Sequence, residues 1–345
     1  KTKSKIKEND MKFVKTIIML LAFTVMAFGS EQRVSSLGGN AGFWADDDAN
    51  IGVFPATMNN WNIAQVSGVG STGGHNAYVL WGSGTKWGFS WDESASNDMV
   101  NLMWGNGTYG VNFGLGMGAE DDGIAAADGG DGVDAMSSMN IDIGFGMNMG
   151  FGEVGAGYSM GNYDDGDAAT ADDPASSNIW FNLRRDQAVW LFDKMLVNFS
   201  TASTNSTDWE TGNADAQGTM NLGVSCFTHM DISDGATGLF AMGFGYESVS
   251  NEMYNKDNSS SSMMFPNFTF AVESSMTDWA TARVGVTSGY TLSGSSTTKP
   301  GATSVTATEQ GPSGSSFGFG LGFNYGSFNL DIDVTEDLFT NPVQH

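Results

Sequence analysis

The chain has 345 residues, with 14 Lys+Arg against 39 Asp+Glu and a formal net charge of -25. Charged residues are 15% of it, below the usual share of about 25%, while its 47 glycines are about twice the usual share. That balance excludes a coiled coil or charged helical bundle, and 40% hydrophobic with 12% aromatic residues excludes disorder by composition. Nucleic acid is excluded as a partner because so acidic a surface repels phosphates. The single cysteine, Cys226, excludes an intrachain disulfide framework and a cysteine-rich metal site.

Residues 1–10, KTKSKIKEND, read as upstream or cloning-derived sequence before a natural start at Met11. From there MKFVK leads into the apolar TIIMLLAFTVMAFG and the small residues Ala27 and Gly29. A basic start, a short apolar run and small residues predict a secretory signal peptide over 11–29. The run is shorter than the ~20 residues of a spanning helix. Cleavage near Gly29 would leave 8 basic and 37 acidic residues, a net charge of -29. No later segment carries 18 uninterrupted apolar residues, so export points to a secreted protein or an outer-membrane barrel.

Residues 30–61 do not alternate. They carry Gly38-Gly39, the acids 46–48 and Phe54-Pro55 before the first strand.

From residue 62 the pattern changes to a period of two. Val111, Phe113, Leu115 and Met117 oppose Asn112, Gly114, Gly116 and Gly118. Met139, Ile141, Ile143, Phe145, Met147 and Met149 then oppose Asn140, Asp142, Gly144, Gly146 and Asn148. The same alternation recurs at 153–160, 240–247 and 317–325. It predicts strands with one large apolar face and one small or polar face. Runs of nine to eleven residues suit tilted strands crossing a bilayer better than the five or six of a soluble sandwich. About fourteen such stretches fit, near 62–69, 75–83, 86–92, 98–106, 109–119, 138–149, 151–162, 177–191, 195–203, 216–229, 238–250, 262–275, 279–294 and 315–335. The last is expected to hold two strands about a turn at Gly326-Ser327.

Short turns such as Gly107-Thr108 and Gly150 alternate with expected long polar loops at 119–137, 162–176, 204–215, 250–261 and 294–314. That asymmetry belongs to outer-membrane barrels. Arg184, Arg185, Asp193 and Lys194 interrupt alternation, so the register of 178–200 stays open. Trp81, Trp87, Trp91, Trp104, Tyr109, Tyr246, Tyr254, Trp279, Tyr290 and Tyr325 lie near strand ends, as interfacial girdles require. The expected fold is therefore all-β: a transmembrane antiparallel up-and-down barrel of about fourteen strands over 62–345, preceded by a hatch-like segment over 30–61. The ending NPVQH lacks a terminal aromatic, so either a final strand is missing from the sequence or the expected closure of the barrel is wrong.

The segment before the barrel resembles the N-terminal region of FadL-like and PorV-like outer-membrane barrels. Leu37, Gly38, Gly39, Asp47, Asp48, Asn50, Pro55 and Ala56 carry the resemblance, over about 25 residues; the family's Asn-Pro-Ala reads Phe54-Pro55-Ala56. The resemblance implies a short hatch at the periplasmic mouth and a route for hydrophobic solutes, or a shuttle for secreted cargo. The glycine-rich inward face, read on its own, is compatible with a roomy lumen or with a closely fitted plug.

Enzyme chemistry finds little support. Past the signal the histidines are His75, His229 and His345, and no motif sets a serine beside His229 on its inward parity. No phosphate-binding glycine loop with its lysine occurs. Cys226, on the opposite parity, is expected to pack as a small hydrophobe facing lipid. The acids Glu120, Asp121, Asp122, Asp128, Asp131 and Asp134 form one glycine-rich cluster, and Asp164, Asp165, Asp167, Asp172 and Asp173 a second. Both read as solvated loops; Ca2+ at Asp121, Asp122, Asp128, Asp131 and Asp134 is the candidate metal, though without EF-hand spacing. No other cofactor is expected.

By parity, Asp92, Asp142, Glu153, Glu247, Glu273, Asp331 and Asp333 point inward against Lys86 and Arg283. Such a wall favours cations. The expectation is an outer-membrane channel or transporter for small or hydrophobic solutes, in contact with outer-membrane lipid. The alternative is a non-transport barrel serving as secretion shuttle, scaffold or structural surface protein. The oligomeric state is not legible.

Overall fold

The computed structural model describes residues 30–67, 75–93, 99–120, 136–164, 175–207, 214–253, 256–298 and 305–333. The expected signal peptide at 11–29 and all five Ca2+ candidates, Asp121, Asp122, Asp128, Asp131 and Asp134, lie outside them.

Fifteen strands form one antiparallel sheet in which each pairs with its neighbours in sequence. They are β1 (Ile63–Ser67), β2 (Asn76–Trp81), β3 (Lys86–Asp92), β4 (Met99–Gly105), β5 (Tyr109–Glu120), β6 (Met136–Met149), β7 (Gly152–Asp164), β8 (Ala175–Val189), β9 (Phe192–Thr207), β10 (Ala214–Ser233), β11 (Ala236–Met253), β12 (Lys256–Thr277), β13 (Ala280–Thr298), β14 (Val305–Tyr325) and β15 (Phe328–Asp333). The stretch 315–335 divides into β14 and β15 at Gly326, whose φ of 69° suits the tight turn.

Period-two patterning sorts the side chains onto the two faces. In β3, Lys86, Gly88 and Ser90 are buried while Trp87, Phe89 and Trp91 are exposed. Leu102, Phe113, Leu115, Met117, Ile143, Phe145, Ile179 and Phe317 extend this apolar outer face. Trp81, Trp87, Tyr109, Phe151, Trp190, Trp279 and Tyr325 ring the end that carries the short turns.

The register of 178–200 is now fixed: Asp186 faces Lys194, and a two-residue turn at Trp190-Leu191 closes the hairpin with Trp190 at φ 55°. Three of the expected loops are corrected. Much of 204–215, 250–261 and 294–314 is strand, because β9 runs to Thr207, β12 starts at Lys256 and β14 starts at Val305. Those tips have no alternating apolar face to read. Backbone pairing continues without one, helped by the cross-strand hydroxyl pairs Ser261–Ser295 and Thr297–Thr306.

The sheet curls around residues 30–61, which form a plug. This segment contains helix α1 (Ser30–Ser36), a 3-10 turn (Ala41–Phe43), helix α2 (Asn50–Val53) and a second 3-10 turn (Pro55–Asn60). Its residues meet β2 through Tyr78, β5 and β6 through Gly110 and Gly146, β8 through Arg184, and β12 through Glu273. Ser35 reaches Asp333 of β15. β1 and β15 border one cavity of about 520 Å³ but are not paired among the described residues.

The hydrophobic core lies inside the wall. Leu37, Phe43, Trp44 and Phe54 of the plug pack against Leu196, Phe227, Leu239, Ala241 and Ala271 of β9 to β12. Phe43 and Phe227 sit 5.0 Å apart between ring centroids. Each large side chain fully buried here contributes about 1.5–3 kcal/mol of transfer free energy.

Candidate functional site

Glycine on the inner face decides how closely the plug can approach. A Cβ at Gly110 or Gly146 would strike the Pro55–Ala56 backbone, and one at Gly285 would strike Leu37 and Gly38. Gly38 and Gly39, with φ of 99° and 76°, make the left-handed bend after α1 that seats this turn. A Cβ on Gly38 would come within 2.8 Å of Thr269.

The other hatch-motif residues hold the plug's shape or join it to the wall. Asn50 is fully buried and donates to the backbone oxygens of Trp44 and Asp47, the latter at 3.0 Å. Its Oδ1 accepts from Arg184 Nη1 at 2.8 Å. Asp47 accepts from the Ala49 amide at 2.9 Å and from Arg33 Nη1 at 2.7 Å. Asp48 accepts from the Tyr78 hydroxyl at 2.5 Å. Pro55 and Ala56 are buried against β5 and β6.

Two arginines, Arg33 and Arg184, join plug and wall on one side, and a third, Arg283, carries the network on along the wall. Arg33 in α1 donates to both Glu273 oxygens, at 2.9 and 3.2 Å, and lies 5.3 Å from the Trp44 ring centroid. Arg283 donates to Glu273 at 2.6 Å and pairs with Asp331. The charges therefore alternate from Asp47 through Arg33, Glu273 and Arg283 to Asp331. Arg184 donates to Glu153 at 2.6 Å and to the Gly42 carbonyl at 2.9 Å, with its guanidinium over Phe54. Planar guanidinium groups serve several acceptors at once, which a lysine could not do in this geometry.

Burial changes protonation within the plug. Asp47 is raised to about 6 by desolvation, which outweighs the opposing pull of Arg33. Glu31 is raised by burial and by the nearby charges of Asp92 and Asp48. For Arg33, desolvation works against the charge, yet hydrogen bonding and attraction to Glu273 push its pKa above the usual value.

The opposite side is open. A cavity of about 800 Å³ lies between the plug and β1–β6, bounded by Glu31, Asp48, Asp92 and Asp142 and, among the described residues, by no lysine or arginine. Asp92 accepts from Asn76, from Asn101 and from Ser90, the last at 3.3 Å. Asp142 accepts from Asn112 at 3.0 Å. Neutral donors thus stand where arginines stand across the lumen. A third, smaller recess, of about 320 Å³, is lined by Trp180, Asn182, Asn198, Asn221 and Glu247.

The sequence-selected wall residues fall into distinct groups. Asp92 and Asp142 border the large cavity, and Glu247 the small recess. Glu153, Glu273, Arg283 and Asp331 are ion-paired, while Asp333 accepts from Ser35 at 2.5 Å. Lys86 is buried, donating to Asn62 and to the Gly82 carbonyl instead of lining the large cavity. Sequence reasoning missed Arg33 and Arg184 as inward cations. Arg184 lay in the stretch of unsettled register, and Arg33 belongs to a segment without strand parity.

His229 packs edge-on against Trp44 at 5.1 Å, beside Phe227. No group of three His, Cys, Asp or Glu side chains among the described residues could hold a metal ion. No helix among them is long and apolar enough to cross a membrane, which does not bear on strands. No protein-family model matches the chain, and no curated protein matches it.

Proposed function

We propose that this protein is an outer-membrane β-barrel channel or transporter that passes small solutes beside an N-terminal plug, with preference for cations. The observation that carries the proposal is the 800 Å³ cavity, whose carboxylates have no basic residue beside them among the described lining residues. Such a wall lowers the energy of a cation and raises that of an anion. The apolar, aromatic-rimmed outer face supports placement in lipid, since so large an exposed apolar surface would be costly in water. The signal-like segment at 11–29 supports export.

The dense seat of the plug favours a second reading, in which the barrel is a shuttle or scaffold and the lumen does not conduct. Planar-bilayer recording of the refolded chain separates the two. Stable steps whose reversal potential shows cation preference are expected; silence from a folded barrel would favour the scaffold, and anion preference would overturn the proposed role of the acids.

A further inference from the structure

The large cavity has a chemical character beyond its sign. Its polar boundary consists of carboxylates, amides and hydroxyls: Glu31 from α1, Asp48 from the plug, Asp92 from β3, Asp142 from β6, and Gln65, Asn112 and Tyr78 among the neutral groups. Gln65 is 4% exposed and lines the cavity, yet its Oε1 has no hydrogen-bond partner; Asn112 Oδ1 is in the same condition. A buried acceptor without a donor costs about 1–3 kcal/mol. The boundary therefore asks for donors and positive charge.

A single metal ion does not match this boundary. The volume far exceeds that of one ion, and no metal-ligating cluster exists among the described residues. Asp92 and Asp142 are three strand spacings apart, roughly 14 Å along the wall. Between the acids the wall presents the amides of Asn101 and Asn112, and Val34, Val53, Met99 and Met103 add apolar surface to the boundary. Along the chain, residues 87–183 contain sixteen acids and no lysine or arginine, and no lysine or arginine is among the described residues that line the cavity.

We propose that this cavity binds an extended organic polycation of the polyamine class, with ammonium groups at the separated carboxylates and methylene links along the methionines. Glu31 is raised first by burial and then by the charges of Asp92 and Asp48, and the same ligand would relieve that second, repulsive part. The proposal rests on the cation-preferring lumen and names the solute that such a lumen would hold.

Spermidine titrated by calorimetry into the folded full chain in detergent tests binding without requiring conduction. Expected is saturable 1:1 binding that weakens with salt, weakens at least about tenfold in the Asp92→Asn/Asp142→Asn double variant, and is unaltered in Glu309→Gln, at an exposed site on β14. If the double variant does not fold, Glu31→Gln must show the loss instead. No saturable binding, equal binding by the acid variants, or displacement by equimolar Mg2+ would overturn the proposal. Binding without conductance would remove the channel reading and leave the site standing; cation conductance without spermidine binding would remove only the site.

Discussion

Where the plug faces β8 and β12–β15, Glu153, Glu273 and Asp331 are each met by an arginine; where it faces β1–β6, Asp48, Asp92 and Asp142 are held by Tyr78, asparagines and Ser90. Both sides are acidic by sequence. The first is neutralised, and the 520 Å³ cavity on it is lined by Arg33 and Arg283 as well as by acids; the second has an 800 Å³ space with no cation among its described lining. A carboxylate paired with a buried arginine is spent on docking, whereas one held by neutral donors still projects its field. The same residue type is therefore ion-paired on one side and left facing an open cavity on the other.

The largest expected break in this contrast is Arg184→Ala. It strands Glu153, Asn50 Oδ1 and the Gly42 carbonyl, and losing one partner of a buried pair costs about 3–5 kcal/mol. Thermal unfolding of the full chain should show the loss, with the plug becoming sensitive to protease.

A pH effect of similar sign but smaller size should come from Asp47. Its folded pKa of about 6 lies above its ordinary 3.8, so the folded protein holds the proton more tightly. The stability from that proton is fully present below about pH 3.8 and is lost as pH rises through about 6. The difference corresponds to on the order of 3 kcal/mol. Unfolding followed from pH 4 to 7 should show wild type losing this contribution and Asp47→Asn lacking the slope; a wild type that gains stability through Asp47 over this range would contradict it.

Gly110→Ala places a methyl group against the Pro55 backbone and should cost about 1–3 kcal/mol by overpacking. The same change at Gly150, where nothing lies within 4 Å, should be nearly silent in the same unfolding assay. Smallest in stability is Asp92→Asn with Asp142→Asn, expected to move it by less than about 1 kcal/mol. Their reversal potential should nevertheless shift toward zero. A stability loss matching that of Arg184→Ala would show that both sides of the plug serve docking.

Much of the wall was legible because a strand exposes alternate residues to opposite surroundings. Met139 through Met149 or Phe317 through Tyr325 need no partner to reveal that alternation. Strand tips were not legible, since the serines at 259–262 carry no apolar face and are ordered by backbone pairing with β11 and β13. Leu37, Gly38, Gly39, Asp47, Asp48, Asn50, Pro55 and Ala56 could be singled out as a motif, but their partners could not. Arg184 and Asn50 are separated by 134 positions. Inward Phe227 and Leu239 likewise made sense only beside Phe43 and its neighbours.

By itself the sequence determined an antiparallel chain of amphipathic strands and a separate segment before it, because side-chain alternation and glycine conformational freedom are local properties. Tertiary structure decided which half of an acidic inner wall would be neutralised, because that depends on where Arg33, Arg184 and Arg283 arrive once the sheet has curled round the plug. Charge can be counted along a chain, but its pairing is a matter of distance in space.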